Sequence, residues 1–512
     1  MTTPTRALRY ISSNPELLAQ LQQGLPAPYT LVVEQSIAQP AAILDTFDDD
    51  LLQREQILVQ TPGNLQLIDL QSASAPLPQR KPVAFVNDID SEQLRGQLDF
   101  VSELRRLLPY GNMTLCHSSA SLLDDNQKTC ARMLCAQFQA GKRQVVLLQL
   151  QALRGYDKPS AMLQQRLQEL QAEPINGSLQ LVQALGYAGH EYVNNPTIEL
   201  APTASVIESA NLIVSTYLTV ARRNEPGIVD DLDTEFLHDF RVSLRRVRSV
   251  ISLFKGVWEE QVQQDLKRRF SEVMRTTNRL RDLDVYLLDQ PGYYAELPLP
   301  MHAGVDLIFA AFARERAQQW RALAKYLRSD AYQQEIAALQ ALFVGDTLKP
   351  GVHADENVLE YACKLIRKRY KKVCQVAGHI HPGTPDEEVH ELRLQCKKLR
   401  YLLDFFRPLL PAKDVRRLIK SLKRLQDNLG RFNDYSAQQL SLQGFLDQRL
   451  ASNKPVNPKM IEAIGALVAL KHQMQMQERA QVMNSFATFN SEETRRAFHQ
   501  LCSVPAIGSE EE

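Results

Sequence analysis

The chain has 512 residues and a formal net charge of zero, with 59 Lys+Arg against 59 Asp+Glu. That length implies two to four domains, and the neutral balance argues against indiscriminate coating of nucleic acid while leaving room for one focused basic cavity. Seven cysteines with no Cys-x-x-Cys spacing argue against a disulfide framework or a zinc ribbon; an N-terminus without an apolar signal core, and no apolar run of spanning length, lead us to expect a cytoplasmic protein.

Charge is unevenly spread: residues 1–204 hold 15 basic and 20 acidic residues, which puts them at −5 and the remainder at +5. Residues 1–200 read as an α+β domain. Strands are predicted over Tyr29–Val33, Gln56–Val59, Leu65–Leu70, Val83–Val86 and Val145–Leu150, each bounded by Pro, Gly or Asn, with helices over Ser91–Leu108 and Ser160–Gln171. The stretch Asn194–Thr203, with Pro196 and Pro202, reads as a linker.

From residue 204 the apolar period is helical almost throughout. Helices are expected over 204–223, 234–256, 259–288, 302–328, 330–343, 355–377, 386–407, 412–429, 433–450 and 458–489, broken at positions such as Pro226-Gly227, Pro291-Gly292, Pro350-Gly351 and Pro408. The implied domains are 204–350 and 351–500, with an acidic tail over 501–512.

Two of these helices repeat one pattern. They read His238-Asp-Phe-Arg241-Val-Ser-Leu-Arg245-Arg246-Val-Arg248 and His390-Glu-Leu-Arg393-Leu-Gln-Cys-Lys397-Lys398-Leu-Arg400. At about 100° per residue, the positions three, seven and ten after each His share its face. The other face is apolar: Phe240, Leu244, Val247, Ile251 and Phe254 in the first copy, Leu392, Cys396, Leu399, Leu403 and Phe406 in the second. Each helix should dock by one side and present cations from the other. Neither His has a companion metal ligand one turn on, where Arg241 or Arg393 and Val242 or Leu394 stand. Downstream, Asn278-Arg-Leu-Arg281-Asp282-Leu-Asp284 and Asn428-Leu-Gly-Arg431-Phe-Asn433-Asp434 extend the repeat, with Arg281 aligned to Arg431 at an offset of 150. Asp282 and Asp284 are expected to orient arginines. Lys420, Lys423 and Arg424 follow the second stripe and are candidates for the same surface, as are Arg268 and Arg269 after the first.

The duplicated His-x-x-Arg-x-x-x-Arg/Lys-Arg/Lys-x-Arg motif with its downstream Arg-Asp element resembles the CHAD family (conserved histidine α-helical domain) over roughly residues 204–500. The resemblance implies two pseudo-twofold-related four-helix bundles around a basic pore that binds inorganic polyphosphate. Carried over by position, the pore residues are His238, Arg241, Arg245, Arg246, Arg248 and Arg281, with His390, Arg393, Lys397, Lys398, Arg400 and Arg431. Asp45-Thr-Phe-Asp-Asp-Asp-Leu51 and Ser121–Arg132 resemble parts of the CYTH (triphosphate tunnel) family, which implies a tunnel-like N-terminal domain. Its expected Glu-x-Glu-x-Lys opening strand is here Ala7-Leu-Arg-Tyr-Ile11, without a carboxylate, and Ile57–Gln60 and Leu65–Leu70 supply no basic side chains. A degenerate, inactive tunnel is therefore expected, with no catalytic residues, no cofactor and no bound metal.

Arg presents a planar fork of donors to phosphate oxygens and Lys a point charge, on helical turns about 5 Å apart. The expected function is non-enzymatic polyphosphate binding that targets the protein to polyphosphate granules, with granule proteins as further partners and no membrane. Affinity should fall with salt and strengthen in mild acid if an anion raises the histidine pKa values. The alternatives are a tunnel triphosphatase with the helical region as an accessory module, and a nucleic-acid binder. The missing carboxylates argue against the first; the absence of exposed aromatics between the cations argues against the second.

Overall fold

The structure, a computed structural model, describes residues 8–69, 76–345, 347–451 and 455–501. The chain divides after Asn194, at the start of the predicted linker, into two compact units. The predicted tail after Leu501 lies outside the described residues.

The first unit is an antiparallel sheet with helices on its faces. Its strands are β1 (Leu8–Ser12), β2 (Thr30–Gln35), β3 (Gln39–Asp45), β4 (Gln56–Thr61), β5 (Asn64–Asp69), β6 (Leu77–Pro78), β7 (Leu108–Pro109), β8 (Met113–Leu123), β9 (Thr129–Ala140), β10 (Arg143–Ala152) and β11 (Glu173–Pro174). The order β11-β1-β10-β9-β8-β3-β4-β5-β6 does not return on itself, so among the described residues the sheet is open. This corrects the tunnel expectation. The short helices are α1 (Leu17–Gln23), α2 (Glu92–Gln97), α3 (Asp157–Glu169) and α4 (Ser178–Ala184). Side chains alternate along β9 and β10, as the pleat requires. Met133, Cys135 and Leu148 pack with Leu17, Leu21, Leu163 and Leu167 of α1 and α3, while Phe138, Val145 and Leu147 pack with Leu181 of α4. Two predicted elements are corrected. Val83–Val86 forms no strand: it runs into a short 3-10 turn at Val86–Asp88 with Val83 and Val86 buried, and the helix expected over Ser91–Leu108 stops at Gln97.

The second unit is helical: α5 (Val206–Val229), α6 (Thr234–Leu253), α7 (Glu260–Leu288), α8 (Gln290–Glu296), α9 (His302–Leu327), α10 (Asp330–Leu342), α11 (Val358–Ala377), α12 (Asp386–Phe405), α13 (Ala412–Ala451), α14 (Pro458–Phe489) and α15 (Glu492–Leu501). Starts follow capping chemistry. Ser205 and Glu208 form a capping box on α5, Asp233 accepts from the Glu235 and Phe236 amides on α6, and Asn357 caps α11. Pro226 does not break α5, which ends three residues later, so only its last turn loses a bond. Gly430 does not break α13 either. The roughly 1 kcal/mol cost of an interior glycine is outweighed where its neighbours Leu429 and Phe432 are buried.

Helices α5, α6, α7 and α9 pack on one another, as do α11, α12, α13 and α14; α6 also meets α12, and α9 meets α14. All ten residues of the two predicted apolar faces are fully buried. No described helix is long and apolar enough to cross a membrane.

Candidate anion-binding site

The two basic helices meet. Phe254, just past α6, stacks on Phe406, just past α12, with ring centroids 5.1 Å apart and planes at 15°. Close by, where Phe254 also meets Tyr361 with centroids 6.0 Å apart, the Val206 amide donates to the Glu356 carbonyl (3.0 Å) and the Val358 amide to the Ala204 carbonyl (3.1 Å). Positions 254 and 406, 206 and 358, and 204 and 356 are each separated by 152, the separation of His238 and His390. Equivalent residues of the two copies thus touch each other, and each backbone bond is the other with the copies exchanged.

Where α6 faces α12 lies a cluster of cations. Burial, then the positive charges of Arg245, Arg281 and Arg248, push the Arg241 guanidinium down to about 10, opposed by Asp282. Burial lowers Arg281 too, with Arg245 again beside it. On α12, burial lowers Arg393, which senses Arg245 across the seam. Lys397 is pushed from 10.5 down to about 8 by burial, then by Arg393 and Arg245. Arg245, which is exposed, is the common neighbour of Arg241, Arg281, Arg393 and Lys397. It also stands 152 positions before Lys397. A cleft of about 270 Å³ opens here, lined by Arg393, Lys397, Arg400, Tyr401 and Gln426.

Most of the first-copy cations rest on neutral groups. Arg241 donates to Thr277 Oγ1 and, at 2.8 Å, to Asn278 Oδ1. Arg281 Nη2 donates to His238 Nδ1 at 2.8 Å, which fixes that nitrogen as an acceptor and puts the imidazole proton on Nε2. The Arg246 guanidinium lies over the Tyr217 ring, 4.8 Å from its centroid. Arg248, lowered by burial, has no ion pair among the described residues. Three guanidinium nitrogens, Arg246 Nη1, Arg281 Nη1 and Arg393 Nε, are buried without an acceptor. Each such group costs about 1–3 kcal/mol.

The second copy differs. His390 Nδ1 faces Asn433 Oδ1 at 2.8 Å and is there a donor. Both His–partner pairs span 43 residues, so Asn433 takes the place of Arg281, and the alignment of Arg281 with Arg431 is corrected by two positions. Arg431 instead matches Arg279, and both clamp a glutamate on the next long helix. Arg279 holds Glu315 of α9 at 2.6 Å through both nitrogens; Arg431 holds Glu478 of α14 at 2.6 and 3.0 Å. Arg400 is paired with Asp404 at 2.8 Å, and Arg393 approaches Asp434 at 3.6 Å. Lys398 is half-buried, and Lys420, Lys423 and Arg424 are exposed on α13; none has an ion pair among the described residues. Arg268 and Arg269 are occupied by carboxylates, Arg269 bidentately by Glu335 at 2.7 and 3.0 Å. Asp284 orients Arg316 at 2.9 Å, and Arg316 also grips Asp231; neither Arg316 nor the Tyr217 platform is signalled by the repeat.

The concave face of the sheet unit, a hollow of about 780 Å³, is lined by Ile68, Leu134, Ala136 and Leu147 with Arg9 as its one Arg or Lys among the described residues, hydrogen-bonded to Gln149 at 3.2 Å. It gathers no cation cluster comparable to that of the helical unit.

The CHAD domain family model matches residues 213–443, just under half of the chain, so the helical unit carries a CHAD domain there. Among solved structures, the chain is similar to the CHAD domain from the plant Ricinus communis, with 23% identity over 62% of this chain and 99% of that one and a TM-score of 0.48. It is also similar to PptA from Streptomyces chartreusis, with 14% identity over 55% and 99% and a TM-score of 0.43. No curated protein matches.

Proposed function

We propose that this protein binds inorganic polyphosphate, without chemistry of its own, in the seam between α6 and α12, and that binding directs it to polyphosphate granules in the cytoplasm. The helical unit would be two related four-helix bundles, 204–350 and 351–500, whose local twofold runs through the Phe254–Phe406 stack. The observation that carries the reading is the grouping of Arg241, Arg281, Arg393 and Lys397 around Arg245 without a bidentate carboxylate on any of the five. Like charges held together and partly stripped of water cost free energy. A linear anion relieves that cost and supplies acceptors for the unpartnered guanidinium nitrogens after small rotations of their side chains. Polyphosphate offers only charge and spacing, which is what this surface reads; the one aromatic lining the cleft, Tyr401, is half-buried and stacked on Phe405.

The test is polyphosphate binding by the full chain across a salt series, beside an Arg245→Glu/Lys397→Glu double variant and an RNA competitor. Binding that falls steeply with salt, is lost in the variant and resists RNA supports the proposal. Equal binding by both proteins would mean that the stripes are ordinary solvated faces. Tripolyphosphate turnover with Mg²⁺ or Mn²⁺ would instead favour the triphosphatase alternative.

A further inference from the structure

The two copies of the basic motif are not equally available to a ligand. Arg248 and Arg400 occupy equivalent positions, 152 apart. Four residues after Arg400 stands Asp404, which holds its guanidinium at 2.8 Å. Four residues after Arg248 stands Ser252, and Arg248 has no carboxylate partner among the described residues. Arg431 is clamped bidentately by Glu478, which also accepts from Asn428 Nδ2 at 2.6 Å, so that carboxylate is itself fixed. Its equivalent, Arg279, makes the same kind of clamp to Glu315. A clamp present in both copies joins consecutive helices and is part of the scaffold.

We infer, on the basis of the polyphosphate reading, that the chain is gripped asymmetrically. The first copy holds it through Arg241, Arg245, Arg248 and Arg281, Arg393 and Lys397 reach it across the seam, and Arg400 and Arg431 are struts that do not engage it. The physical reason is exchange. A phosphate oxygen that approaches Arg241 or Arg248 adds a charge-assisted bond to a guanidinium that has no carboxylate ion pair among the described residues. One that approaches Arg400 or Arg431 must first displace a carboxylate, and trading one anion for another yields little net gain. The first copy therefore sets affinity, and the second tunes it through Lys397.

The experiment compares single variants of the full chain by titration with long-chain polyphosphate at several salt concentrations. Arg245→Gln and Arg248→Gln should each weaken binding by about tenfold or more and reduce the salt slope by about one. Arg400→Gln and Arg431→Gln should leave affinity within about twofold and the slope unchanged, while Arg431→Gln lowers the thermal midpoint. Asp404→Asn gives the inference a positive test that does not depend on the folding of those variants. It frees Arg400 and recreates the arrangement at Arg248, so binding should tighten several-fold with a steeper salt slope. If Arg400→Gln and Arg431→Gln cost as much as Arg245→Gln, or Asp404→Asn has no effect, the asymmetric grip is wrong although the chain binds polyphosphate. If the wild-type chain does not bind polyphosphate at all, the functional reading fails and takes this inference with it.

Discussion

Replacing Lys397 by arginine separates the charge at the seam from its titration. The ammonium lies beside Arg393 on its own helix and Arg245 of α6, with Asp434 of α13 as the nearby carboxylate, and burial together with the two guanidiniums brings it from 10.5 to about 8. The folded chain therefore releases this proton at lower pH than the unfolded chain does. The sign is opposite to that of a lysine gaining a partner: folding is opposed below pH 8, and the opposition fades as pH rises from about 8 towards 10.5. At 1.36 kcal/mol per pH unit the full span corresponds to about 3 kcal/mol, which partial exposure reduces to ~1–2 kcal/mol. A polyanion on the cluster should raise the value again, so that binding above pH 8 takes up a proton. If it restores the ordinary value, only about a tenth of the free protein carries this charge at pH 9, and affinity there should be roughly tenfold below that at pH 7. Isothermal titration between pH 7 and 9.5 at fixed ionic strength, in two buffers of different ionisation enthalpy, measures affinity and proton uptake together. Lys397→Arg should bind with a nearly flat pH profile and no uptake. The same pH dependence in both proteins would refute the reasoning.

The remaining predictions concern the scaffold. Phe254→Ala removes a fully buried ring from the stack on Phe406 and should cost about 3–5 kcal/mol in denaturant unfolding; a loss under 1 kcal/mol would show that the seam does not depend on the stack. Arg316→Met leaves the almost fully buried Asp284 without its guanidinium and should cost about 3–5 kcal/mol at neutral pH, less in acid where that carboxylate is protonated, as urea titrations at pH 7 and 4 would show. At Gly304, a Cβ would lie 2.1 Å from the Lys459 carbonyl oxygen and 2.7 Å from Ala463 Cβ. Gly304→Ala should therefore force α9 and α14 apart and lower stability by about 1–3 kcal/mol, measured as a fall in thermal midpoint.

Much of the helical unit is legible in the sequence because its signals are periodic. The buried faces of α6 and α12 follow from apolar spacing alone, and the shared offset of 152 follows from the two histidines. What the sequence hides is partnership. Glu478 lies 47 residues from the arginine it neutralises, and only packing brings α14 against α13. Asp404 was within reach, four residues from Arg400 on the same helix, but attention to the cations alone passes over the carboxylate between turns. The two-position slip at Arg431 has a similar cause, because Arg279 and Arg281 are alternate residues and only the side chains they meet tell them apart. The expected breaks at Pro226 and between residues 429 and 433 do not occur, because packing outweighs local preference there. In the sheet unit, Val83 and Val86 are buried as expected, yet their backbone forms no strand, since an apolar run specifies burial before it specifies conformation.

In a symmetric pair of separate subunits, whatever lies on the axis must face its own copy, and a change at such a position is made twice. Here both halves belong to one chain, and that constraint is lifted. Arg245 stands opposite Lys397, Asn433 takes the place of Arg281, and Asp404 that of Ser252. Each departure alters one side of the seam alone, so a linear anion entering it meets two different walls, and its two possible directions along the groove are no longer equivalent.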